Sequence, residues 1–243
     1  MKLENKEGSL VPAVTFRTRK GDDWLDINSQ TLFAGKNVIV FSLPGAFTPT
    51  CSSSHLPRYN QLAGLFKENG VDEIVCVSVN DSFVMNAWQE DQEAENILVI
   101  PDGNGEFSDK MGMLVDKTDL GFGKRSWRYS MYVSDGVIKK MFIEPNKEGD
   151  PFEVSDADTM LTYLAPEVTV RDPITVFTKV GCPYCERAKE LLIDKCYPFE
   201  EVIVGKDITL AGLKAICGDE TAPQIYKDGA YLGTEEELEK FFL

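Results

Sequence analysis

Three short apolar runs, separated by segments with helical character, constrain the fold of the first part of the chain most strongly. Each run has the length of a buried strand, and the runs cover residues 38–43, 74–79 and 97–100. After the first run, apolar residues recur at helical spacing from Leu56 to Phe66, and Gly70 follows as a helix terminator. After the second run, Asn80 and Asp81 can cap another helix. Strands that alternate with helices predict an α/β fold.

A β-hairpin is predicted further along the chain. Ser134, Asp135 and Gly136 form a turn signal between strand-like residues 129–133 and 137–143. The resulting order of strand, helix, strand, helix and hairpin suggests a thioredoxin-like core. The residues before 36 suit short strands that are only partly covered.

A second α/β pattern begins at Ile174. A strand-like run, residues 174–178, is followed by Cys182-Pro183-Tyr184-Cys185, and apolar residues at helical spacing come next. Both cysteines therefore fall at the start of a helix. We predict an α/β chain of two thioredoxin-like domains in tandem, with bounds at residues 1–166 and 174–243 and a linker at residues 167–173.

Charge and apolar content exclude several classes of protein. The formal net charge of −15 argues against a nucleic-acid partner, because phosphates require a basic surface. The longest apolar runs are strand-sized and no charged-then-apolar leader opens the chain, so neither a membrane span nor a signal peptide is expected. A cytoplasmic location is the default.

Six cysteines in such a chain indicate redox chemistry, and a single C-x-x-C pair disfavours a structural zinc site, so no metal is expected.

The first reactive cysteine is predicted where the first apolar run gives way to a helix. Residues 44–51 read Pro-Gly-Ala-Phe-Thr-Pro-Thr-Cys, which places Cys51 in or near a first helical turn, with Pro57 expected to kink the second turn. Free backbone N–H groups and the helix dipole there favour an anion, and the thiolate is the nucleophilic form of cysteine. The alternative is a small buried apolar cysteine.

The flanking residues favour the reactive interpretation. Pro44, Thr48 and Cys51 form the pattern P-x-x-x-T-x-x-C, which resembles the peroxidatic motif of the peroxiredoxins, and the longer stretch resembles their fifth subgroup. The resemblance implies that Cys51 attacks a hydroperoxide, that Thr48 orients thiolate and peroxide, and that Pro44 shapes the pocket. Arg128-Tyr129-Ser130-Met131 looks like the segment that carries the active-site arginine of this family. Arg128 is the match, and Arg125 is a neighbour that matches less well.

The first domain offers no obvious second thiol for Cys51. Atypical two-cysteine members of the fifth subgroup place a resolving cysteine at about residues 144–166, and this chain has none there. Cys51 is therefore expected to need an outside thiol. Cys76 lies inside an apolar run, which predicts a buried structural role. A Cys-His hydrolase is a further alternative, since His55 lies four residues after Cys51, but a structural role for His55 is preferred.

The second domain resembles glutaredoxin. The resemblance rests on Cys182-Pro183-Tyr184-Cys185, on the preceding Lys179 and on residues 221–224. A C-x-x-C at a helix start gains stabilisation of its first thiolate, and the second cysteine can close a disulfide on it. The family binds glutathione through residues that match Lys179, Tyr184 and the backbone of Ala222, beside a cis proline that matches Pro223.

A glycine-rich stretch of the glutaredoxin family receives the γ-glutamyl end of glutathione. Here it reads Gly233-Thr234-Glu235-Glu236, so that Thr234 replaces a glycine and Glu236 replaces an aspartate. Both changes affect how closely a ligand can approach the backbone. Cys196 and Cys217 lie outside the redox motif, and structural roles are predicted for them.

Together the two resemblances imply a glutathione-dependent peroxidase with its reductant domain in the same chain. Cys51 would reduce hydrogen peroxide and alkyl hydroperoxides, and Cys182 would recycle it with glutathione as co-substrate, without a tightly bound cofactor; Cys185 is dispensable in a monothiol route. A homo-oligomer, dimer or tetramer, with domain contacts between subunits is expected. Two other functions stay open: a peroxide sensor that oxidises a partner protein, and a general disulfide reductase.

Overall fold

The computed structural model describes residues 3–21, 23–147, 149–168, 174–195 and 197–243. The chain divides into two units, Met1–Val168 and Thr169–Leu243. The division falls inside the predicted linker, of which residues 169–173 lie outside the described residues. Cys196 lies outside them as well.

The first unit combines strands and helical segments and ends in a hairpin followed by a helix. Its strands are β1 (Thr15–Lys20), β2 (Asp23–Asn28), β3 (Asn37–Leu43), β4 (Glu73–Ser78), β5 (Leu98–Pro101), β6 (Leu114–Asp116), β7 (Lys124–Ser126), β8 (Tyr129–Ser134) and β9 (Val137–Ile143). Its helical segments are α1 (Ser29–Phe33), a π-helical turn (Cys51–His55), α2 (Leu56–Gln61), α3 (Ala63–Glu68), α4 (Ser82–Asp91), α5 (Glu106–Lys110), a 3₁₀ turn (Thr118–Leu120) and α6 (Ala157–Leu164).

A five-stranded sheet in the order β5-β4-β3-β8-β9 forms the centre of this unit. β3, β4 and β5 run parallel, and β8 pairs antiparallel with β3 and with β9. The three apolar runs are therefore the three parallel strands, and the predicted hairpin is β8–β9. The two smaller sheets, β1–β2 and β6–β7, are each an antiparallel pair.

The central strand β3 is covered on both faces, which explains why its sequence is a nearly continuous apolar run. Val38 and Val40 belong to one core cluster, with residues of β8, β9 and α5. Phe41 points to the other face and stacks on Tyr59 of α2, with ring centroids 4.4 Å apart. β3 thus anchors the segment that follows it against both layers of the unit.

The N-terminal segment covers the outer edge of the sheet. The N–H of Gly8 donates to the carbonyl of Ile138 at 2.8 Å, and the N–H of Ile138 donates to the carbonyl of Ser9 at 2.9 Å. Further along β9, the N–H of Met141 donates to the carboxylate of Glu7 at 2.9 Å. This hydrogen bond to the Met141 backbone lowers the pKa of Glu7. The backbone groups of Ile138 and the N–H of Met141 on the edge strand β9 are thereby paired within the chain.

Two local features differ from the sequence-based expectation. The partly covered segment before residue 36 contains the strands β1 and β2, but it also contains the short helix α1. The side chain of Asn28 accepts a hydrogen bond from the N–H of Gln30 and so begins that helix. The helical segment after Cys51 is also divided, since α2 ends before Leu62 and α3 begins after it.

The second unit is a smaller α/β fold around a four-stranded sheet. Its elements are β10 (Ile174–Lys179), α7 (Pro183–Asp194), β11 (Phe199–Val204), α8 (Leu210–Cys217), β12 (Gln224–Lys227), β13 (Ala230–Gly233) and α9 (Glu235–Phe241). The strand order is β11-β10-β12-β13, with β10 and β11 parallel and the other pairs antiparallel. Ile174, Val176, Leu192, Ile225 and Leu238 are fully buried in its core.

No helix among the described residues combines the length and the apolar character that crossing a membrane requires.

Replacing Ser52 with alanine should destabilise the first unit. The indole N–H of Trp88, a fully buried residue on α4, donates to the hydroxyl of Ser52 at 2.9 Å. Without this acceptor the indole group is buried unpaired, so the free energy of unfolding should fall by about 1–3 kcal/mol. Urea unfolding followed by tryptophan fluorescence measures it, because all three tryptophans lie in the first unit.

Ser53→Ala is the matched control, since Ser53 is exposed and its hydroxyl contacts only Ser54 among the described hydrogen bonds. It should change the free energy of unfolding by less than about 0.5 kcal/mol. Equal losses in the two variants would contradict the assigned role of the Trp88–Ser52 bond.

Candidate active site

The corner that follows β3 is fixed by hydrogen bonds to its own backbone and to the neighbouring loop. The hydroxyl of Thr48 donates to the carbonyl of Gly45 at 2.8 Å, and the N–H of Ala46 donates to the side-chain oxygen of Asn80 at 3.1 Å. The carbonyl of Thr48 accepts from the N–H of Ser52 at 3.0 Å. Pro44 and Thr48 are half-buried. The predicted loop is thus held in one shape immediately before Cys51.

Cys51 is the first residue of the π-helical turn and is fully buried. The N–H of Leu56 bonds to the carbonyl of Cys51, five residues back, where an α-helix would use a spacing of four. The next residue, Pro57, has no N–H to donate and lies in the first turn of α2. The irregularity predicted at Pro57 therefore falls one turn earlier, at the cysteine itself.

Arg128 provides the positive charge of this site. It precedes β8, its side chain is 1% exposed, and its Nη2 lies 3.5 Å from the Sγ of Cys51. Arg125, the neighbour that matched less well, is half-buried on β7, and its described hydrogen bonds go to the carbonyls of Val79 and Phe122. The structure thus brings Arg128 to Cys51, as the resemblance implied.

A buried guanidinium needs partners, and three groups besides Cys51 contact it. The Nη2 of Arg128 donates to both carboxylate oxygens of Asp150, at 2.7 and 2.6 Å. Its Nη1 lies 3.1 Å from the Nδ1 of His55, and its Cζ lies 5.4 Å from the ring centroid of Phe152. Burial acts against the charge, but the Cys51 sulfur and the Asp150 carboxylate raise the pKa of Arg128 above its usual value.

His55 is a neutral acceptor for Arg128. Burial, together with the charge of Arg128, holds the pKa of His55 well below its usual value. Arginine can only donate, so the Nδ1 of His55 accepts and its Nε2 carries the proton. That Nε2 lies 3.1 Å from the carbonyl of Ser155, to which it donates. The imidazole is therefore occupied by Arg128 and Ser155, which disfavours the Cys-His hydrolase and supports the structural role preferred for His55.

The loop that holds His55 is itself held by Glu144. The buried carboxylate of Glu144 accepts from the N–H groups of Glu153, Val154 and Ser155 at 2.8 to 3.0 Å, and from the hydroxyl of Ser155 at 2.8 Å. The Ser155 carbonyl then accepts from His55 and, at 3.0 Å, from the hydroxyl of Tyr59. A continuous set of contacts runs from Glu144 through Ser155 and His55 to Arg128.

The other described cysteine of the first unit, Cys76, is fully buried in β4, as predicted. Burial raises the pKa of its thiol well above the usual value, and charge on the nearby Cys51 acts in the same direction. A thiol that stays protonated is a poor nucleophile. In the second unit, Cys217 ends α8 and is half-buried, and its contact with Tyr226 raises the pKa of that hydroxyl to about 12.

The cysteine pair of the second unit begins helix α7. Cys182 is the N-cap, its Sγ accepts from the N–H of Cys185 at 3.2 Å, and the two sulfurs form a disulfide. The Sγ of Cys182 lies 3.5 Å from the carbonyl oxygen of Ala222, and the Ala222–Pro223 peptide bond is cis. Cys185 is fully buried and Cys182 is half-buried. Cys182 is thus the more accessible sulfur.

The residues that the resemblance assigns to glutathione lie on several elements of this unit. Lys179 ends β10 and its Nζ contacts the carbonyl of Glu220, while Tyr184 is exposed on α7. Gly233 has φ 138° and the Glu237 side chain lies against the place where a Cβ would be, so a glycine is required.

The stretch predicted to bind the γ-glutamyl end of glutathione, residues 233–236, already binds a carboxylate of the chain, that of Glu237. The backbone N–H and the hydroxyl of Thr234 both donate to Glu237, at 3.0 and 2.8 Å, in a capping box that begins α9. These bonds lower the pKa of Glu237 to about 2. Glu236 is exposed.

Comparisons with known proteins identify both units. The redoxin family model matches residues 6–161 and the glutaredoxin family model matches residues 174–232. The chain is 62% identical over 240 residues to the hybrid peroxiredoxin hyPrx5 of Haemophilus influenzae, across 99% of this chain and 100% of that protein. The chain belongs to the hybrid peroxiredoxins. It is accordingly a peroxidase with a fused glutaredoxin domain.

Two further relatives cover the first unit. Peroxiredoxin sll1621 of Synechocystis is 56% identical over 182 residues, which span 69% of this chain and 96% of that protein. The crystal structure of reduced Prx3 from Vibrio vulnificus in complex with H2O2 is 43% identical, with a TM-score of 0.63, and covers 66% of this chain and 99% of that chain. These likenesses confirm the predicted α/β, thioredoxin-like fold.

Sequence reasoning missed Asp150, Phe152 and Glu144 as neighbours of the site. Asp150 and Phe152 lie in an irregular segment that carries no periodic signal. Glu144 follows β9 directly, and an acidic residue at the end of an apolar strand was the one signal that could have drawn attention to it. Its partners lie nine to eleven residues later, beyond any local pattern.

The stability of the first unit should depend on His55 below neutral pH. Because the folded-state pKa of His55 is depressed, the unfolded chain binds more protons once the pH falls below about 6.5, and stability is lost as the pH falls further. His55→Asn keeps an acceptor for Arg128 but does not titrate. Between pH 7.5 and 5.5, the difference in unfolding free energy between wild type and variant should change by at most about 1.4 kcal/mol per pH unit.

His55 is the only histidine, so urea unfolding by tryptophan fluorescence at each pH isolates its titration. Parallel stability curves for the two proteins would show that His55 is not buried in its neutral form.

Arg128→Lys should slow the oxidation of Cys51 by hydrogen peroxide by about 100-fold. A lysine is a point charge, and it cannot replace a guanidinium that meets Cys51, His55 and Asp150 with two nitrogens. Stopped-flow tryptophan fluorescence gives the second-order rate constant. Arg125→Lys is the control and should change that constant by less than about threefold. Equal decreases of the rate constant in the two variants would contradict a specific role for Arg128.

Proposed function

We propose that this hybrid peroxiredoxin reduces hydrogen peroxide and alkyl hydroperoxides with glutathione as the final electron donor. The observation that carries the proposal is the presence, in one chain, of the Cys51–Arg128 site and of a glutaredoxin unit with the pair Cys182 and Cys185. The first site has the chemistry to become oxidised. The second has the chemistry to return electrons from glutathione.

The first step oxidises Cys51. Its thiolate attacks one oxygen of the hydroperoxide, the O–O bond breaks, and the leaving oxygen takes a proton to give water or an alcohol. Cys51 becomes a sulfenic acid. Arg128 stabilises the thiolate and the negative charge that develops on the leaving oxygen. Thr48, held at the corner by its bond to Gly45, orients the peroxide, and Pro44 limits the access of water.

The next steps return Cys51 to its thiol. Glutathione attacks the sulfenic acid, which releases water and leaves a mixed disulfide on Cys51. The Cys182 thiolate then attacks the glutathione sulfur, so that Cys51 is released and Cys182 carries the glutathione. A second glutathione attacks this mixed disulfide and leaves as glutathione disulfide. One hydroperoxide and two glutathione molecules are consumed in each cycle.

The need for an outside thiol is supported by what surrounds Cys51. Residues 144–166 contain no cysteine, and the other cysteine of the first unit, Cys76, is fully buried with a raised pKa. A fused partner is present at an effective concentration on the order of millimolar, provided that the linker spans the two sites. Fusion therefore favours Cys182 over a separate protein as the recycling thiol.

The role of Cys185 separates two routes. In the monothiol route a second glutathione reduces Cys182, and Cys185 is dispensable. In a dithiol route the Cys185 thiolate attacks the Cys182 sulfur of the mixed disulfide, glutathione leaves as its thiol, and the disulfide found in the structure forms. We favour the monothiol route, in which the residues matched to the glutathione site, Lys179, Tyr184, Ala222, Pro223, Gly233, Thr234 and Glu236, hold the mixed disulfide. Assembly into a homo-oligomer and a cytoplasmic location stay predictions.

Cysteine variants test the proposal directly. Peroxide turnover should be abolished in Cys51→Ser and lost in Cys182→Ser, while Cys185→Ser should keep much of it, because only the first two sulfurs carry electrons in the monothiol route. NADPH consumption with glutathione and glutathione reductase measures turnover. Cys217→Ser, which removes a half-buried thiol outside both sites, is the control and should behave as wild type.

Other outcomes would favour other functions. Full turnover in Cys51→Ser would sink the peroxidase assignment to that residue, and equal losses in Cys182→Ser and Cys185→Ser would point to the dithiol route. Slow turnover together with a trapped mixed disulfide to another protein would indicate a peroxide sensor. Reduction of small disulfides that survives Cys51→Ser, without glutathione-supported peroxide turnover in wild type, would indicate a general disulfide reductase.

A further inference from the structure

The tyrosine between the two cysteines of the glutaredoxin unit is held by an arginine. Tyr184 is exposed on α7, and the guanidinium carbon of Arg187 lies 4.6 Å from the centroid of its ring. A guanidinium over an aromatic face is attracted by the ring electrons, most strongly when water is partly excluded. The contact favours one orientation of the exposed Tyr184 ring.

Arg187 is in turn held by Glu235. The Nη2 of Arg187 donates to one carboxylate oxygen of Glu235 at 3.0 Å, and its Nε donates to the other oxygen. The Glu235 side chain is 10% exposed and the Arg187 side chain is 51% exposed, so the carboxylate half of this two-point pair is shielded from water. The fork fixes the plane of the guanidinium, and the plane of the guanidinium sets the position of the Tyr184 ring.

The position of Glu235 in the chain gives this contact a functional meaning. Glu235 is the first residue of α9 and follows Gly233 and Thr234, the stretch assigned to the γ-glutamyl end of glutathione. The neighbouring Glu237 is bound to Thr234, which fixes the backbone of that turn. Glu235 and Arg187 therefore connect the turn that precedes α9 to Tyr184 on α7.

We propose that Glu235 is a positioning residue for glutathione, acting through Arg187 on Tyr184. This inference rests on the proposed function, since it takes glutathione as the ligand of Cys182. A mixed disulfide on Cys182 meets the Tyr184 ring at its cysteine end and the turn at residues 233–236 at its γ-glutamyl end. The Glu235–Arg187 pair keeps these two contacts at a spacing that fits glutathione and that a smaller thiol does not use.

The test compares glutathione with a thiol that lacks the γ-glutamyl group. In the full chain carrying Cys51→Ser and Cys185→Ser, Cys182 is equilibrated with glutathione and its disulfide, or with 2-mercaptoethanol and its disulfide. Peptide mass spectrometry gives the fraction of Cys182 in each mixed disulfide. Adding Glu235→Gln should lower the equilibrium constant for glutathione by about threefold to tenfold and leave that for 2-mercaptoethanol unchanged.

A second variant keeps the test meaningful if Glu235→Gln perturbs α9. Arg187→Lys keeps the positive charge but loses the two-point fork, and it should produce a similar loss for glutathione. The combined Glu235→Gln and Arg187→Lys variant should be no worse than either single variant, because both remove the same contact. Glu200→Gln, which removes one charge from an exposed position on β11, is the control and should leave both equilibria unchanged.

The proposal is overturned if Glu235→Gln leaves the glutathione equilibrium unchanged, or if it lowers the glutathione and 2-mercaptoethanol equilibria equally. The proposed function is tested separately. A chain that loses its preference for glutathione in Glu235→Gln but shows no glutathione-supported peroxide turnover in wild type would overturn the proposed function and support the positioning role. Peroxide turnover with glutathione in the wild type, together with an unchanged preference for glutathione in Glu235→Gln, would support the proposed function and overturn the positioning role.

Discussion

A positive charge buried beside the reactive sulfur is the constraint on which the first unit depends. Arg128 is 1% exposed, and an unpaired guanidinium at such a position would destabilise the fold. Asp150 and Phe152 contact it from one irregular segment and His55 from the π-helical turn, and the Sγ of Cys51 lies 3.5 Å from its Nη2. The same contacts that make burial of the charge tolerable bring it to the cysteine. Stability and reactivity are thus properties of one set of side chains.

The sequence predicts well those parts of the molecule that are set by local pattern. The apolar runs at residues 38–43 and 74–79 became parallel strands because burial on both faces leaves a continuous apolar signal. Cys51 fell at the corner because a strand, a proline-rich turn and a helical pattern follow in order. The π-helical turn and the shell around Arg128 were not predictable in this way. Glu144 and Asp150 act through residues distant in the chain, and only the folded backbone brings them together.

The two units differ in how far their sites can be recognised from sequence. In the second unit the cysteine pair, the cis Pro223 and the helix start lie within short motifs, so resemblance carried most of the site. The contact between Glu235 and Arg187 could not be recognised from a short motif, because the two residues lie on separate helices. Thr234 and Glu236 looked like departures from a family pattern. In the fold, the glutamates that make contacts are their neighbours: Glu237 binds Thr234, and Glu235 binds Arg187.

The covering of β9 by the N-terminal segment bears on how copies of this protein can associate. An uncovered edge strand is a template for another chain, and it promotes sheet extension and aggregation. Here Gly8 and Ser9 exchange backbone hydrogen bonds with Ile138, and the Glu7 carboxylate takes the N–H of Met141. These hydrogen bonds occupy part of the β9 edge that another strand would need in order to extend the central sheet. A strand of a second copy would have to displace residues 7–9 before it could pair with this part of β9.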